Sequence, residues 1–265
     1  MKLPSLISLL AVFLQESHCN SDIEKRIVGG EFVREQGFYP FMVGILHFYY
    51  GISYWCGGVV YDERTVISAA HCFDVDGLCI ENLSLAFGAR SQSIAEVGIQ
   101  IRRLNKLIMH PEFDLESYNN DIAFLKFRIA IPFNNLIQPI ALPATTVQGG
   151  ETLVTMGRGL TLGTGESGVL RHVKVKVIPR DLCNELFGGY VTENMICAGY
   201  KEGGRDACYG DSGGPLVLQN PGGFFQLTGI VSWGENCALS EKPGVYTNVI
   251  KYIRWIRNNG GKFKG

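Results

Sequence analysis

From residue 38 onward, short apolar runs are bounded by glycine, proline or polar turns. Runs at 41–46, 57–60, 65–70, 84–87, 99–104, 122–127, 152–156, 173–178, 215–218, 226–233 and 244–246 read as strands. So many short strands with frequent turn signals predict an all-β protein built as a sandwich or as barrels. Pro139 and Pro143 fall near the middle and mark a connector between two halves. The last stretch changes period. Val249, Tyr252, Ile253 and Ile256 recur at helical spacing and predict one C-terminal amphipathic helix over 249–258.

The N-terminus has a different pattern. Lys2 precedes an apolar run at 3–14 that is too short to span a bilayer and reads as a secretory signal peptide. Ser17 and Cys19 supply small residues for a cut after Cys19, giving a signal segment of 1–19. Residues 20–26 are short and polar and end in Lys25-Arg26, directly before Ile27-Val28-Gly29-Gly30. A basic residue before an apolar, glycine-flexible start reads as a proteolytic activation site. The expected product is a secreted, extracellular protein whose eight cysteines are candidates for disulfides. A net charge of −1 points to neither a nucleic acid nor a membrane surface as partner. Only 18% of residues are charged and 33 are glycine, as suits a turn-rich globular chain.

The stretch Cys208-Tyr209-Gly210-Asp211-Ser212-Gly213-Gly214-Pro215 carries the candidate chemistry. Glycines permit backbone shapes that a Cβ would block, so a turn here can lift one hydroxyl and aim N–H groups at a single point. A serine nucleophile needs that arrangement: an exposed Oγ beside donors placed where negative charge develops. It also needs a base, and the base needs an orienting group. His71 follows an apolar run in Ser68-Ala69-Ala70-His71-Cys72, and Asp121 opens another in Asn119-Asn120-Asp121-Ile122. The order His, Asp, Ser is one of the known orders of a Ser-His-Asp triad. Other histidines (His47, His110, His172) and acids (Asp62, Asp114) lack such contexts and read as packed or turn residues.

With these motifs the chain resembles the trypsin-like serine proteases of the chymotrypsin family, from Ile27 to the last helix. Trp55-Cys56-Gly57-Gly58, Val231-Ser232-Trp233-Gly234 and Lys242-Pro243-Gly244-Val245-Tyr246 add to the match. The resemblance implies two packed six-stranded antiparallel β-barrels, at 27–139 and 140–248, followed by the helix. It implies a peptidase domain over 27–265. It gives His71, Asp121 and Ser212 the catalytic roles and the backbone N–H groups of Gly210 and Ser212 the oxyanion hole. Ser232, Trp233 and Gly234 would pair with the substrate backbone as an added strand.

The same resemblance puts Asp206 at the base of the primary specificity pocket, with Gly234 and Gly244 as its walls. A carboxylate at the floor of an open pocket calls for Arg or Lys on the acyl side of the scissile bond. Tyr209 stands where many relatives carry Gln and Asn236 where trypsins commonly have Gly, so both shape the rim. Cutting after Arg26 would free an ammonium on Ile27 to pair with Asp211 and order the pocket. The implied disulfides are Cys56–Cys72, Cys183–Cys197 and Cys208–Cys237. Leu153 and Leu218 replace a further bridge that the family often has. Cys19 and Cys79 remain, either tethered to one another or with Cys79 odd.

No cofactor or metal is expected, because the cysteines lack zinc-like spacing. In the loop that aligns with the calcium loop of many trypsins, 88–100, two acidic positions have become Ala89 and Ile99, and only Glu96 is left. Asn82-Leu83-Ser84 is a glycosylation sequon. The sequence therefore predicts a monomeric secreted endopeptidase, made as a zymogen, that takes protein or peptide substrates and protein inhibitors. Only a short pro-segment precedes the protease, which suits a digestive or venom-type enzyme. The alternatives are a narrow-specificity processing or regulatory protease, or a non-catalytic binding protein on the same fold.

Overall fold

The computed structural model describes residues 26–48, 52–93, 95–159 and 168–260. The signal segment, residues 20–25 of the pro-segment and Cys19 lie outside them. Residues 27–30 form a tight turn in which the Gly30 N–H donates to the Ile27 carbonyl at 2.7 Å.

After β1 (Glu31–Phe32), seven strands form one antiparallel sheet. They are β2 (Met42–Phe48), β3 (Ile52–Asp62), β4 (Thr65–Ser68), β5 (Leu83–Phe87), β6 (Gln100–Arg103), β7 (Lys106–Met109) and β8 (Ala123–Lys126). Their spatial order is β6-β5-β2-β3-β4-β8-β7. The two edge strands, β6 and β7, are separated in the chain only by Leu104 and Asn105, so the chain itself joins the edges of this curled half-barrel. The second sheet contains β9 (Thr152–Gly157), β10 (Arg171–Ile178), β11 (Met195–Gly199), β12 (Pro215–Gln219), β13 (Phe225–Trp233) and β14 (Gly244–Asn248). Because β9 pairs with both β10 and β12, these six strands close into a barrel, and β1 adds to β10. This is the chymotrypsin fold that the sequence predicts.

The strand pattern has a direct cause. In β10, Val173, Val175 and Val177 are buried while Lys174 and Lys176 face out, the period of two that a half-buried strand requires. In β2 the residues Met42 to Leu46 are buried without alternation, because core lies on both sides. Three strands have no counterpart among the predicted runs: β1, β7 and β11. The first is two residues long, and Lys106–Met109 shows no clean alternation. Met195–Gly199 is buried at every position.

The helix Arg180–Leu186 is also absent from the sequence reading; its only buried residue is Cys183, so it has no apolar stripe to detect. The C-terminal prediction of one helix at 249–258 divides in two. Val249 and Tyr252 lie three apart in a 3-10 turn, Val249–Tyr252, and the α-helix runs Ile253–Gly260. Trp255 stacks on Phe124 at 4.9 Å between ring centres and fastens this helix to the first sheet. Among the described residues no helix is long and apolar enough to cross a membrane.

Among the described residues three disulfides are present: Cys56–Cys72, Cys183–Cys197 and Cys208–Cys237. Cys79 is free and exposed among the described residues. Leu153 is fully buried in the second core and Leu218 packs against the same cluster. Phe48 closes β2 opposite Ile52 of β3, and the Tyr54 hydroxyl in β3 donates to the Ser91 carbonyl at 3.1 Å.

Candidate functional site

Strand register brings the predicted base, His71, and its predicted orienting acid, Asp121, together. β4 and β8 are antiparallel, and Ser68 pairs with Ala123. His71 leaves the C-terminal end of β4 and Asp121 enters the N-terminal end of β8, so both emerge at the same edge. His71 Nδ1 and Asp121 Oδ2 are 2.8 Å apart, and the His71 backbone N–H donates to Asp121 Oδ1 at 2.9 Å. Asp121 is fully buried, while the His71 side chain keeps 16% of its exposure. The adjacent Cys56–Cys72 bridge braces the histidine loop.

The second barrel supplies further contacts to the acid. Between β13 and β14 the register slips from Val231 to Trp233. Such an irregularity re-aims a side chain, and here the Ser232 hydroxyl donates to Asp121 Oδ2. The Thr247 hydroxyl donates to the Asp121 carbonyl at 2.6 Å. Just upstream, Asn119 Oδ1 accepts from Thr192 and from Asn194, and Asn120 Oδ1 accepts from Tyr252. Asn120 adopts φ 58, a left-handed conformation that asparagine tolerates better than most residues. The acid is thus held where the two sheets meet.

Ser212 lies on the turn that precedes β12. The Gly214 N–H donates to the Asp211 carbonyl at 2.9 Å, the Gly213 N–H to the Val231 carbonyl at 2.9 Å and the Gly57 N–H to the Ser212 carbonyl at 2.7 Å. Gly213 has φ 76, and a Cβ there would lie 2.2 Å from the Ser68 hydroxyl, so glycine is required by conformation and by space. Gly210, predicted to line the oxyanion hole, has φ 89. Ser212 and His71 line one cleft of about 270 Å³ together with Asp206, Ser232, Trp233, Gly234 and Gly244. The structure therefore gathers in one place His71, Asp121, Ser212 and all the predicted pocket residues.

The carboxylate predicted at the pocket floor is only partly hydrogen-bonded. Asp206 is 3% exposed. Its Oδ2 accepts from the Ala238 N–H at 3.1 Å, while Oδ1 has no hydrogen-bond partner among the described residues. Burial pushes this carboxyl up to about 7, against the N–H groups of Ala238 and Ala207. A Cβ on Gly244 would stand 2.5 Å from Asp206 Oδ1, so glycine keeps the floor reachable. Asn236, at φ 61, occupies a left-handed position at the rim, which explains asparagine where a glycine is expected.

Asp211 is 1% exposed; its two oxygens accept from the N–H groups of Gly159 at 2.8 Å and Cys208 at 2.9 Å. Burial pushes its carboxyl up to about 6, with those N–H groups and the Arg158 charge opposing the shift. Ile27 is 2% exposed and belongs to the core of the second barrel. The Asp206 N–H donates to the Val28 carbonyl at 3.1 Å, so the start of the Ile27 segment is docked against the pocket base.

The sequence reading passed over Tyr118. Its ring lies edge-on to the His71 imidazole with centres 5.6 Å apart, and it lines the cleft together with the exposed Tyr209. Its place directly before Asn119-Asn120-Asp121 was the available signal. The ligand atoms of Cys56, His71 and Cys72 cluster closely, but the two sulfurs are joined to each other and cannot act as thiolates toward a metal. Glu96 accepts from the N–H groups of Arg90 at 2.6 Å and Ser91 at 3.1 Å. Asn82 is half-buried in the 3-10 turn Ile80–Asn82, and Ser84 of its sequon is buried in β5.

A family model described as Trypsin matches residues 27–256. "Trypsin II-P29" of Gallus gallus is 35% identical over 236 residues, 88% of this chain and 89% of that protein. "Serine protease 1" of Homo sapiens is 34% identical over 239 residues, 89% and 90% of the two chains. "Trypsin-1" of Astacus astacus is 38% identical over 229 residues, 84% of this chain and 95% of that protein.

Proposed function

Because the chain belongs to the trypsin family of serine endopeptidases, we propose that it hydrolyses peptide bonds after Arg or Lys through an acyl-enzyme formed on Ser212. The observation that carries the specificity is the buried Asp206 carboxylate with one unpartnered oxygen at the cleft floor. An arginine side chain offers a planar, bidentate cation to such a group.

In this mechanism Ser212 Oγ bonds to the scissile carbonyl carbon as His71 takes its proton. His71 then gives that proton to the leaving amine as the C–N bond breaks. Asp121 holds the imidazole tautomer through Nδ1 and stabilises the imidazolium. The N–H groups of Gly210 and Ser212 receive the oxyanion, each contributing about 3 kcal/mol. Water then repeats the sequence on the acyl-enzyme. Hydrolysis rates on matched peptides that differ only in the acyl-side residue (Arg, Lys, Phe, Leu, Ala) test this. Strong cleavage at Arg and Lys alone is expected, and a preference for Phe or Leu sinks the role given to Asp206.

The raised Asp206 carboxyl has a pH consequence. A cation binds the ionised form, and in the empty pocket that form is lost below about 7. Affinity for a simple arylamidine inhibitor is expected to fall about tenfold per pH unit below that value. Calorimetric titration between pH 5 and 9 measures it, and a flat profile contradicts the assignment.

The chain is read as a secreted zymogen with a signal peptide at 1–19, a pro-segment at 20–26 and a two-barrel peptidase unit from 27. Cleavage after Arg26 gives Ile27 an ammonium that pairs with Asp211, and Ile27 is buried in the core of the second barrel. Arg26→Gln is expected to remain uncut at Ile27 and to lose at least about 10²-fold in activity, the scale of a missing oxyanion donor. Full activity from that uncut variant removes the switch. A digestive or venom-type role fits a monomer met by protein inhibitors. Tyr118 and Tyr209 at the cleft favour the second reading, a narrower processing protease, which cleavage of whole-protein mixtures separates from the first. Attachment of a glycan at Asn82 is the remaining modification in this reading.

A further inference from the structure

The mechanism gives no role to the loop that follows β5. Its backbone oxygens are taken up one after another by donors from elsewhere in the chain. Gln36 Nε2 donates to the Gly88 carbonyl at 2.9 Å and to the Val97 carbonyl at 2.9 Å. One amino group of Arg158, Nη2, donates to the Ala89 carbonyl. The Leu170 N–H donates to the Arg90 carbonyl at 2.7 Å, and the Tyr54 hydroxyl to the Ser91 carbonyl at 3.1 Å. The one acid of the loop, Glu96, accepts from the N–H groups of Arg90 and Ser91 and has Arg90 Nε 3.8 Å away.

This stretch aligns with the calcium loop of many trypsins, and its donor set does not fit that ion. Calcium takes about six to eight oxygens at about 2.3–2.6 Å, carboxylates among them. Here Glu96 is the only carboxylate of 88–100, and five carbonyls already accept hydrogen bonds. An ion in their place would break those bonds and strip Arg158 of its acceptor. Arg158 is 5% exposed, and a guanidinium does not give up its proton in a protein, so that loss would be costly. Its Cζ also lies 5.5 Å from the centre of the Tyr54 ring, within cation–π range. Both groups that hold the cation, a carbonyl and a ring, come from the first half of the chain, whereas Arg158 follows β9 of the second sheet. Gln92 makes the same crossing: its N–H donates to the Gly168 carbonyl at 2.6 Å and its side-chain amide to the Arg158 carbonyl at 3.4 Å.

We propose that an internal cation closes this loop in place of a metal: Arg158, carried by the second sheet, pins the Ala89 carbonyl and the Tyr54 ring, and the order of the loop depends on Arg158 and not on calcium. The chemistry of the donors explains the exchange. A divalent ion gathers several carboxylates, and this loop has one. A guanidinium carries a single charge and is matched by neutral oxygens and the face of a ring. A cation built into the chain cannot be removed by a chelator, and it ties the two halves of the molecule together as it fills the loop. The loop also carries Arg90, whose side chain is 42% exposed. A loosened loop therefore offers a cleavage point after that residue, and protection of the Arg90–Ser91 bond reports whether the loop is closed. The clamp is independent of the chemistry assigned to Ser212.

The test uses the S212A chain, so that self-digestion does not contribute, and follows cleavage after Arg90 by added trypsin with mass spectrometry. S212A is expected to be cut at the same rate in millimolar calcium chloride and in EDTA. S212A/R158M is expected to be cut at least about tenfold faster in both, as a loop that opens more often should be. Calcium does not slow that cutting, whereas Arg158→Lys, which keeps the charge, restores most of the protection. Slower cutting of S212A in calcium than in EDTA overturns the proposal, because the loop would then hold the ion. Equal rates for S212A and S212A/R158M overturn it as well, because Arg158 would then hold nothing. Tyr54→Leu covers an R158M that does not fold. It removes the ring beside the guanidinium and the donor to Ser91, so faster cutting after Arg90 is expected, and an unchanged rate overturns the clamp.

Discussion

Replacing Ser212 by alanine is expected to lower kcat by about 10⁶-fold, the loss seen when a triad nucleophile or its base is removed. The reason is in the geometry. The His71–Asp121 pair stays in place at 2.8 Å, but no oxygen remains to form the acyl-enzyme. What survives is binding and oxyanion stabilisation of direct water attack. His71→Ala should lose about as much, and the double variant little more, because nucleophile and base act as one unit. Initial rates on an Arg peptide, with labelling by a serine-reactive phosphonate, check this. An S212A enzyme that still turns over at a tenth of the wild-type rate would move the nucleophile elsewhere.

The second large effect concerns Asp206→Asn. The amide keeps the shape of the carboxylate and removes its charge. An arginine in the pocket would then be a buried cation without a partner, which costs about 4 kcal/mol, or about 10³-fold in kcat/KM. Peptides with Leu or Phe should change little, so the preference ratio collapses. Stability moves the other way. Burial raises the Asp206 carboxyl in the folded chain to about 7, so between the ordinary carboxyl range and 7 the native state holds a proton that the unfolded state has lost. Native stability of the wild type therefore falls as pH rises through that window and stays lower above it. D206N lacks that penalty. Its melting temperature is expected to gain on wild type between pH 4 and about pH 7. A variant that loses Arg activity and also melts lower at pH 8 would mean that Asp206 holds the pocket together rather than charging it.

Much of this protein is written locally. The period-two pattern of Val173, Val175 and Val177, the glycines around Ser212 and the three cysteine pairs each express a short-range demand: which face is buried, which φ is allowed, which loop is tied. Where a local demand is weak, the sequence is silent. The helix Arg180–Leu186 has one buried side chain, and Cys183, through its bridge to Cys197, holds it in place. Lys106–Met109 is a strand because β8 lies beside it, a neighbour whose paired residues are 14 to 20 positions further along the chain.

The sequence by itself determined the class of chemistry, because a nucleophile turn, a histidine and an acid must each be built from particular residue types in particular local contexts. It also determined the all-β architecture and the cysteine pairing that the resemblance implied. Only the tertiary structure decided what those groups experience. The register slip that points Ser232 at Asp121, the edge of Tyr118 against His71 and the orphaned oxygen of Asp206 come from chain segments far apart in sequence. So does the burial of Arg158 against Tyr54 and the Ala89 carbonyl. Distances and desolvation between such segments are properties of packing, and packing sets the charge state and aim of a side chain once water has been excluded from around it.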